Sequence, residues 1–195
     1  AQQIEPFYVM EVAKAAKDLA QNLGPQDAPM IYLNIGEPDF TAPHLVQEAA
    51  QKAIQAGTTQ YSSALGILEL RQALSAWYKG RFNLDINANR IMITAGGSAA
   101  LQLACLALIN PNDEILMPDP SYPCNRHFVG AAEGRSTLIP TTAAERFQLT
   151  ADKVDAAWGA QTRGVLLASP SNPTGTSIAP DELQRLHSLG RQGRG

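Results

Sequence analysis

The sequence has little charge, almost no cysteine and no long hydrophobic run. Of its 195 residues, 17% are Asp, Glu, Lys or Arg, against about 25% in an average soluble domain. So thin a charged surface implies that a partner subunit or further chain covers part of it. The net charge is −3, which excludes the broad basic face that nucleic acid or an anionic membrane requires. Any anion must be bound locally. Two cysteines, Cys105 and Cys124, give no disulfide framework, and His44, His127 and His187 are scattered, so no metal site is expected. A reduced, cytoplasmic protein fits this usage. The longest apolar run, Ala99 to Ile109, is too short to span a bilayer and carries Gln102, so no membrane partner is expected.

What is present is enough chain for one sizeable core. Apolar residues recur at helical spacing in "PFYVMEVAKAAKDLAQNLG", with Val9, Val12, Ala13, Ala16, Leu19 and Ala20 on one face. "MIYLNIG" predicts a strand over Met30–Ile35. Pro43 opens a second helix with Val46, Ala49, Ala50, Ala53 and Ile54 inward, ending at Gly57. A third helix is predicted from Ile67 to Tyr78, capped by Gly80. From there strands and helices alternate: "RIMIT", "DEILM", "RSTLI" and "RGVLLA" as strands, with "SAALQLACLALI", "NRHFVGAA", "ADKVDAAW" and "PDELQRLHSLG" as helices. That alternation predicts an α/β fold with a mostly parallel sheet, whose ligands gather beyond the carboxyl ends of the strands. The closing "GRQGRG" carries no apolar residue and reads as a tail or as the cut end of something longer.

Three loops follow strands. "TAGGSAAL" (Thr94 to Leu101) is strand, two glycines, serine, helix: close backbone approach at Gly97, free N–H groups at a helix start, and the Ser98 hydroxyl. Together these make a phosphate cradle. The same residues also read as a plain tight turn capped by Ser98, or as a loosened nucleophile elbow. In the last case Ser98 would be a serine-hydrolase nucleophile with Asp119, Asp152 or Asp155 and His187. "PDPSYPCN" holds Tyr122 between prolines, a ring able to stack on a flat cofactor or simply to pack on a helix. In "SPSNPTG", Pro173 suits the second position of a turn and Gly175 the fourth, which aims the Asn172 amide at the strand end.

In this order the loops resemble the class I/II aminotransferases, fold-type-I enzymes dependent on pyridoxal 5'-phosphate. The resemblance is carried by "IEPFYVMEV", "LNIGEPDF", "TTQYSSALGILELRQAL", "ITAGGSAAL", "PDPSYP" and "SPSNPTG", and it covers the N-terminal half of such an enzyme. It implies a three-layer α/β transferase fold, with residues 1–42 as arm and small-domain segment and 43–195 as the first part of the large, cofactor-binding domain. It implies that Gly97 and Ser98 cradle the cofactor phosphate, that Tyr122 lies over the pyridine, and that Asn172 bonds the cofactor's phenolic oxygen and the substrate carboxylate. Gly36 would offer its N–H to the same carboxylate, and Tyr61 would reach the phosphate bound by a partner subunit, in a homodimer. The implied substrates are an amino acid and a 2-oxo acid. The resemblance also implies cis bonds before Pro120 and Pro173. It supplies no catalytic residue here: the Schiff-base lysine belongs to a motif that this chain lacks, and Lys14, Lys17, Lys52, Lys79 and Lys153 fall on predicted helices as solvated side chains. The alternatives are a non-catalytic remnant or binding module and a pyridoxal-phosphate lyase, beside the Ser98 hydrolase.

Overall fold

A computed structural model describes residues 8–191. The ends of the N-terminal motif and of "GRQGRG" (residues 1–7 and 192–195) lie outside the described residues. The chain falls into two compact units, Tyr8–Gly96 and the part from Gly97 onward.

The first unit is helical: α1 (Tyr8–Gln21), α2 (His44–Gln55) and α3 (Leu68–Phe82). In α1, Val9, Ala13, Ala16 and Ala20 are its half-buried positions, but Val12 and Leu19, expected on the same face, stand 55% and 57% exposed. The apolar face predicted for α2 is exposed instead, with Val46 at 55% and Ile54 at 68%. Periodicity states that a helix has a greasy side, not which element covers it. Gly80 does not cap α3. The helix runs through it and ends at Asn83, whose left-handed backbone (φ 54) sends its N–H to the Lys79 and Tyr78 carbonyls. One glycine inside a helix costs only about 1 kcal/mol, which Trp77, Tyr78 and Phe82 offset by edge-on ring contacts at 5.1 and 5.2 Å. Ile67 and Leu70 are exposed, and Arg71 takes the buried place on α3.

Neither Met30–Ile35 nor Arg90–Thr94 forms a strand. Both were predicted from apolar composition, yet a strand needs a neighbour to take its hydrogen bonds. Ile31 and Leu33 stand 77% and 90% exposed. Ile93 N–H donates to the Leu65 carbonyl at 3.0 Å, a loop contact.

The second unit is the predicted α/β alternation: α4 (Gly97–Leu108), β1 (Glu114–Asp119), α5 (Cys124–Ala131), β2 (Arg135–Pro140), α6 (Ala151–Ala157), β3 (Thr162–Val165) and α7 (Pro180–Arg191). The sheet order is β2-β1-β3 and both pairings are parallel, with Leu116 opposite Thr137 and Val165. β1 is central and covered on both faces, so it reads as a continuous apolar run. Leu116 packs with Leu149, Val154, Ile178 and Leu186. Ile115 and Met117 pack on the other side with Cys105, Val129 and Ala132. Each fully buried side chain of this kind contributes about 1.5–3 kcal/mol. Cys105 is core, as its helix position predicts, and burial raises its thiol pKa. Lys153 departs from its expected solvated state: it is half-buried, paired to Glu145 at 2.6 Å and donating to the Pro140 carbonyl at 2.8 Å.

Candidate functional site

Parallel strands present their carboxyl ends on one edge of the sheet. At that edge β1 runs into Asp119–Pro120–Ser121–Tyr122, and β3 runs through Leu166 into Ser169–Gly175. Leu166 N–H donates to the Leu116 carbonyl at 2.9 Å, which extends the ladder toward the second loop. The peptide bonds before Pro120, Pro170 and Pro173 are all cis. Two of them are the expected pair and the third, at Ser169–Pro170, was not foreseen.

The first two loops meet. The Tyr122 phenol lies near the Ser98 hydroxyl and the Cys124 thiol, close enough for both to bear on its ionisation. The neighbouring Cys124 thiol and burial push the phenol's pKa above its ordinary value, the Cys124 charge adds to this, and the Ser98 hydroxyl pulls the other way. A half-buried ring is thus fixed at the start of α4. Cys124 was not foreseen in this role; its place two residues after Tyr122, across Pro123, was the available signal. Apart from its chain neighbours and the backbone of its own helix, no atom lies within 4 Å of where a Cβ on Gly97 would stand. The first turn of α4 therefore faces open space with N–H groups that have no partner inside the helix. Its dipole favours an anion there.

The third loop is one residue longer than the expected four-residue turn. Gly175, at φ 70, donates its N–H to the Ser171 carbonyl at 2.7 Å, and Ser171 N–H donates to the Thr176 carbonyl at 2.9 Å. Asn172 sits inside this closed turn with its side chain exposed. The turn is anchored from below: Gln148 Nε2 donates to the Thr176 carbonyl at 2.7 Å, and Ile178 N–H donates to Ser169 Oγ at 3.0 Å. Gly36 and Tyr61 belong to the other unit. Gly36 is exposed, with open space about its Cα, and Tyr61 projects wholly into solvent.

Tyr122 is the titratable neighbour of Ser98, and no histidine bonds Ser98 among the described residues. Among them, too, no group of three His, Cys, Asp or Glu gathers as metal ligands, and no helix is long and apolar enough to cross a membrane.

A parallel sheet with an open glycine–serine helix start and a fixed aromatic ring beside it is how α/β proteins hold cofactors that carry a phosphate handle. This is the class of protein that the second unit defines. The family model for aminotransferase class I and II matches residues 28–193, and the chain belongs to that family, whose members depend on pyridoxal 5'-phosphate. It is 38% identical over 185 residues to valine–pyruvate aminotransferase of Mycobacterium tuberculosis, covering 95% of this chain and 46% of that one. It is 40% identical over 183 residues to a probable aspartate aminotransferase of Methanocaldococcus jannaschii, covering 94% and 46%. Among solved structures, aspartate aminotransferase from Thermus thermophilus with maleate superposes with a TM-score of 0.88 at 30% identity, over 96% of this chain and 48% of that one. The chain therefore spans about half the length of the relatives it matches, and it has the α/β architecture of the aspartate aminotransferase-like fold.

Proposed function

We propose that the complete protein transfers an amino group between an L-amino acid and a 2-oxo acid with pyridoxal 5'-phosphate. The observation that carries this reading is the meeting of Ser98 and Tyr122 at the open start of α4, on the carboxyl edge of a parallel sheet. The bound cofactor supplies an electron sink for the carbanion left when an amino acid loses its α-proton. The chain's own residues supply position and charge. Gly97 and Ser98 would hold the phosphate, Tyr122 would hold the ring, and the Asn172 carboxamide would bond the cofactor and the substrate carboxylate. Gly36 N–H would bind that same carboxylate. Tyr61 would bond the phosphate held by the partner in a homodimer.

The domain assignment is proposed for the same complete enzyme: residues 1–42 as arm and small-domain segment, 43–195 as the start of the large domain. This division is distinct from the compact units that meet at Gly97. The lysine that carries the cofactor is proposed to lie in the part of the family's length that this chain does not span. A cytoplasmic location is proposed from the cysteine usage alone. The relatives' names include valine–pyruvate and aspartate aminotransferases, so the proposed substrate class is L-amino acids in general.

The test is cofactor binding by the intact protein, followed by calorimetry, together with transfer assays over a panel of amino acids and 2-oxo acids. Ser98→Ala is expected to weaken binding roughly tenfold, the loss of one charge-assisted hydrogen bond. Unchanged affinity in that variant would remove the cradle from the reading.

A further inference from the structure

Arg71 is a buried cation on α3. It is 8% exposed, and no carboxylate pairs with it among the described residues. Burying a guanidinium this way is costly, and an apolar side chain would fill the space with less desolvation. What the guanidinium adds is geometry. Its Nε donates to the Gly66 carbonyl at 3.2 Å and its Nη1 to the Ala88 carbonyl at 3.1 Å.

The Gly66 carbonyl is also the closing point of the loop that begins at Tyr61. Ser63 Oγ donates to it at 2.6 Å, while Gly66 N–H donates to the Ser63 carbonyl at 2.9 Å. Next to it, the Leu65 carbonyl accepts from Ile93 N–H at 3.0 Å. Gly66 has φ 90, and a Cβ there would stand 2.5 Å from Ile93 Cγ1. The downstream end of the loop is therefore pinned on every side. Its upstream end is Tyr61, which the structure leaves wholly exposed.

We infer that Arg71 is a positioning residue for Tyr61: through the Gly66 carbonyl it holds the Tyr61–Gly66 loop in one shape, so that the phenol meets a phosphate already ordered. This rests on the proposed contact between Tyr61 and the cofactor phosphate. A loop ordered before binding loses less entropy on binding, and that difference appears as affinity.

The experiment measures dissociation constants of pyridoxal 5'-phosphate and of pyridoxal, which lacks the phosphate, for the intact protein by calorimetry. The variants are Tyr61→Phe, Arg71→Gln, Ser63→Ala and each of the latter two combined with Tyr61→Phe. Tyr61→Phe and Arg71→Gln should each weaken binding of the phosphate form roughly tenfold and leave pyridoxal within about twofold. In the Tyr61→Phe background, Arg71→Gln should add less than about twofold, because the two act through one contact. Ser63→Ala cuts the second tie to the same carbonyl without emptying a buried site, so it carries the test if Arg71→Gln does not fold. It should weaken the phosphate form severalfold, again only where Tyr61 is present. If either variant weakens both ligands alike, or adds its full effect to Tyr61→Phe, Arg71 merely supports the scaffold and the inference falls while the reading of Tyr61 stands. If Tyr61→Phe leaves the affinity for the phosphate form unchanged, the reading of Tyr61 fails and the inference goes with it.

Discussion

Two glycines separate the demands of folding from those of binding. At Gly66 a methyl would collide with Ile93 at a backbone angle that side chains avoid. Gly66→Ala is expected to lower stability by about 1–3 kcal/mol, read as a fall in the denaturant midpoint. At Gly97 a methyl meets nothing beyond its chain neighbours and its own helix. Gly97→Ala should leave stability within about 0.5 kcal/mol while weakening cofactor binding, because the methyl stands where a phosphate would sit. A titratable residue adds a pH signature. Glu114 accepts hydrogen bonds from Thr137 Oγ1 (2.6 Å) and Thr162 Oγ1, tying the central strand to both neighbours. Those bonds, Thr137's first and then Thr162's, hold its carboxyl below the ordinary 4.5; burial opposes them and the Arg135 charge assists. A lowered folded pKa stabilises above the unfolded value, and that stability is lost as pH falls through the folded value. The denaturant midpoint should therefore drop as pH is lowered from about 4.5, and Glu114→Gln should flatten that slope.

At the scale of elements, β1 joins two cores. Leu116→Ala is expected to cost about 2–5 kcal/mol, because neither neighbouring strand nor α6 can collapse into the space; thermal unfolding measures it. Thr150 caps α6 by accepting from Lys153 N–H at 3.3 Å, and Thr150→Ala should cost about 1 kcal/mol. From Gly97 onward the elements were legible in the sequence almost to their ends, because the apolar runs of the strands and of α5, α6 and α7 find packing partners within the same unit. Met30–Ile35 and Arg90–Thr94 were misread for the opposite reason: their composition reports a wish for burial, and pairing decides the rest. The same limit explains α2, whose greasy side was read correctly and buried wrongly. In the site, the residue types of all three loops were visible, but the Tyr122–Ser98–Cys124 contact and the fifth residue of the Ser171–Gly175 turn were not. Both depend on how loops far apart in sequence meet, or on backbone shapes that residue type leaves open.

For the molecule as a whole, the low charge and the exposed apolar side chains belong together. Leu33, Leu45, Leu108 and Phe40 each stand at least 75% exposed, and many other large apolar side chains, Ile31 and Ile54 among them, are exposed as well. The 195-residue chain, expressed by itself, is expected to enhance the fluorescence of an apolar dye and to self-associate with rising concentration. Dye enhancement no larger than that of a closed globular domain would count against this. The double coverage of β1 also sets a clock on synthesis. Cys105 and α5 lie close to β1 in the chain, so one side of the strand is shielded soon after it leaves the ribosome. The other side waits for Leu186. At about 5–20 residues per second that is a delay of roughly 4–14 s, during which Leu116 gains Leu149 and Val154 first and is closed over by Leu186 last. This interval is when a nascent-chain chaperone has the central strand itself to hold.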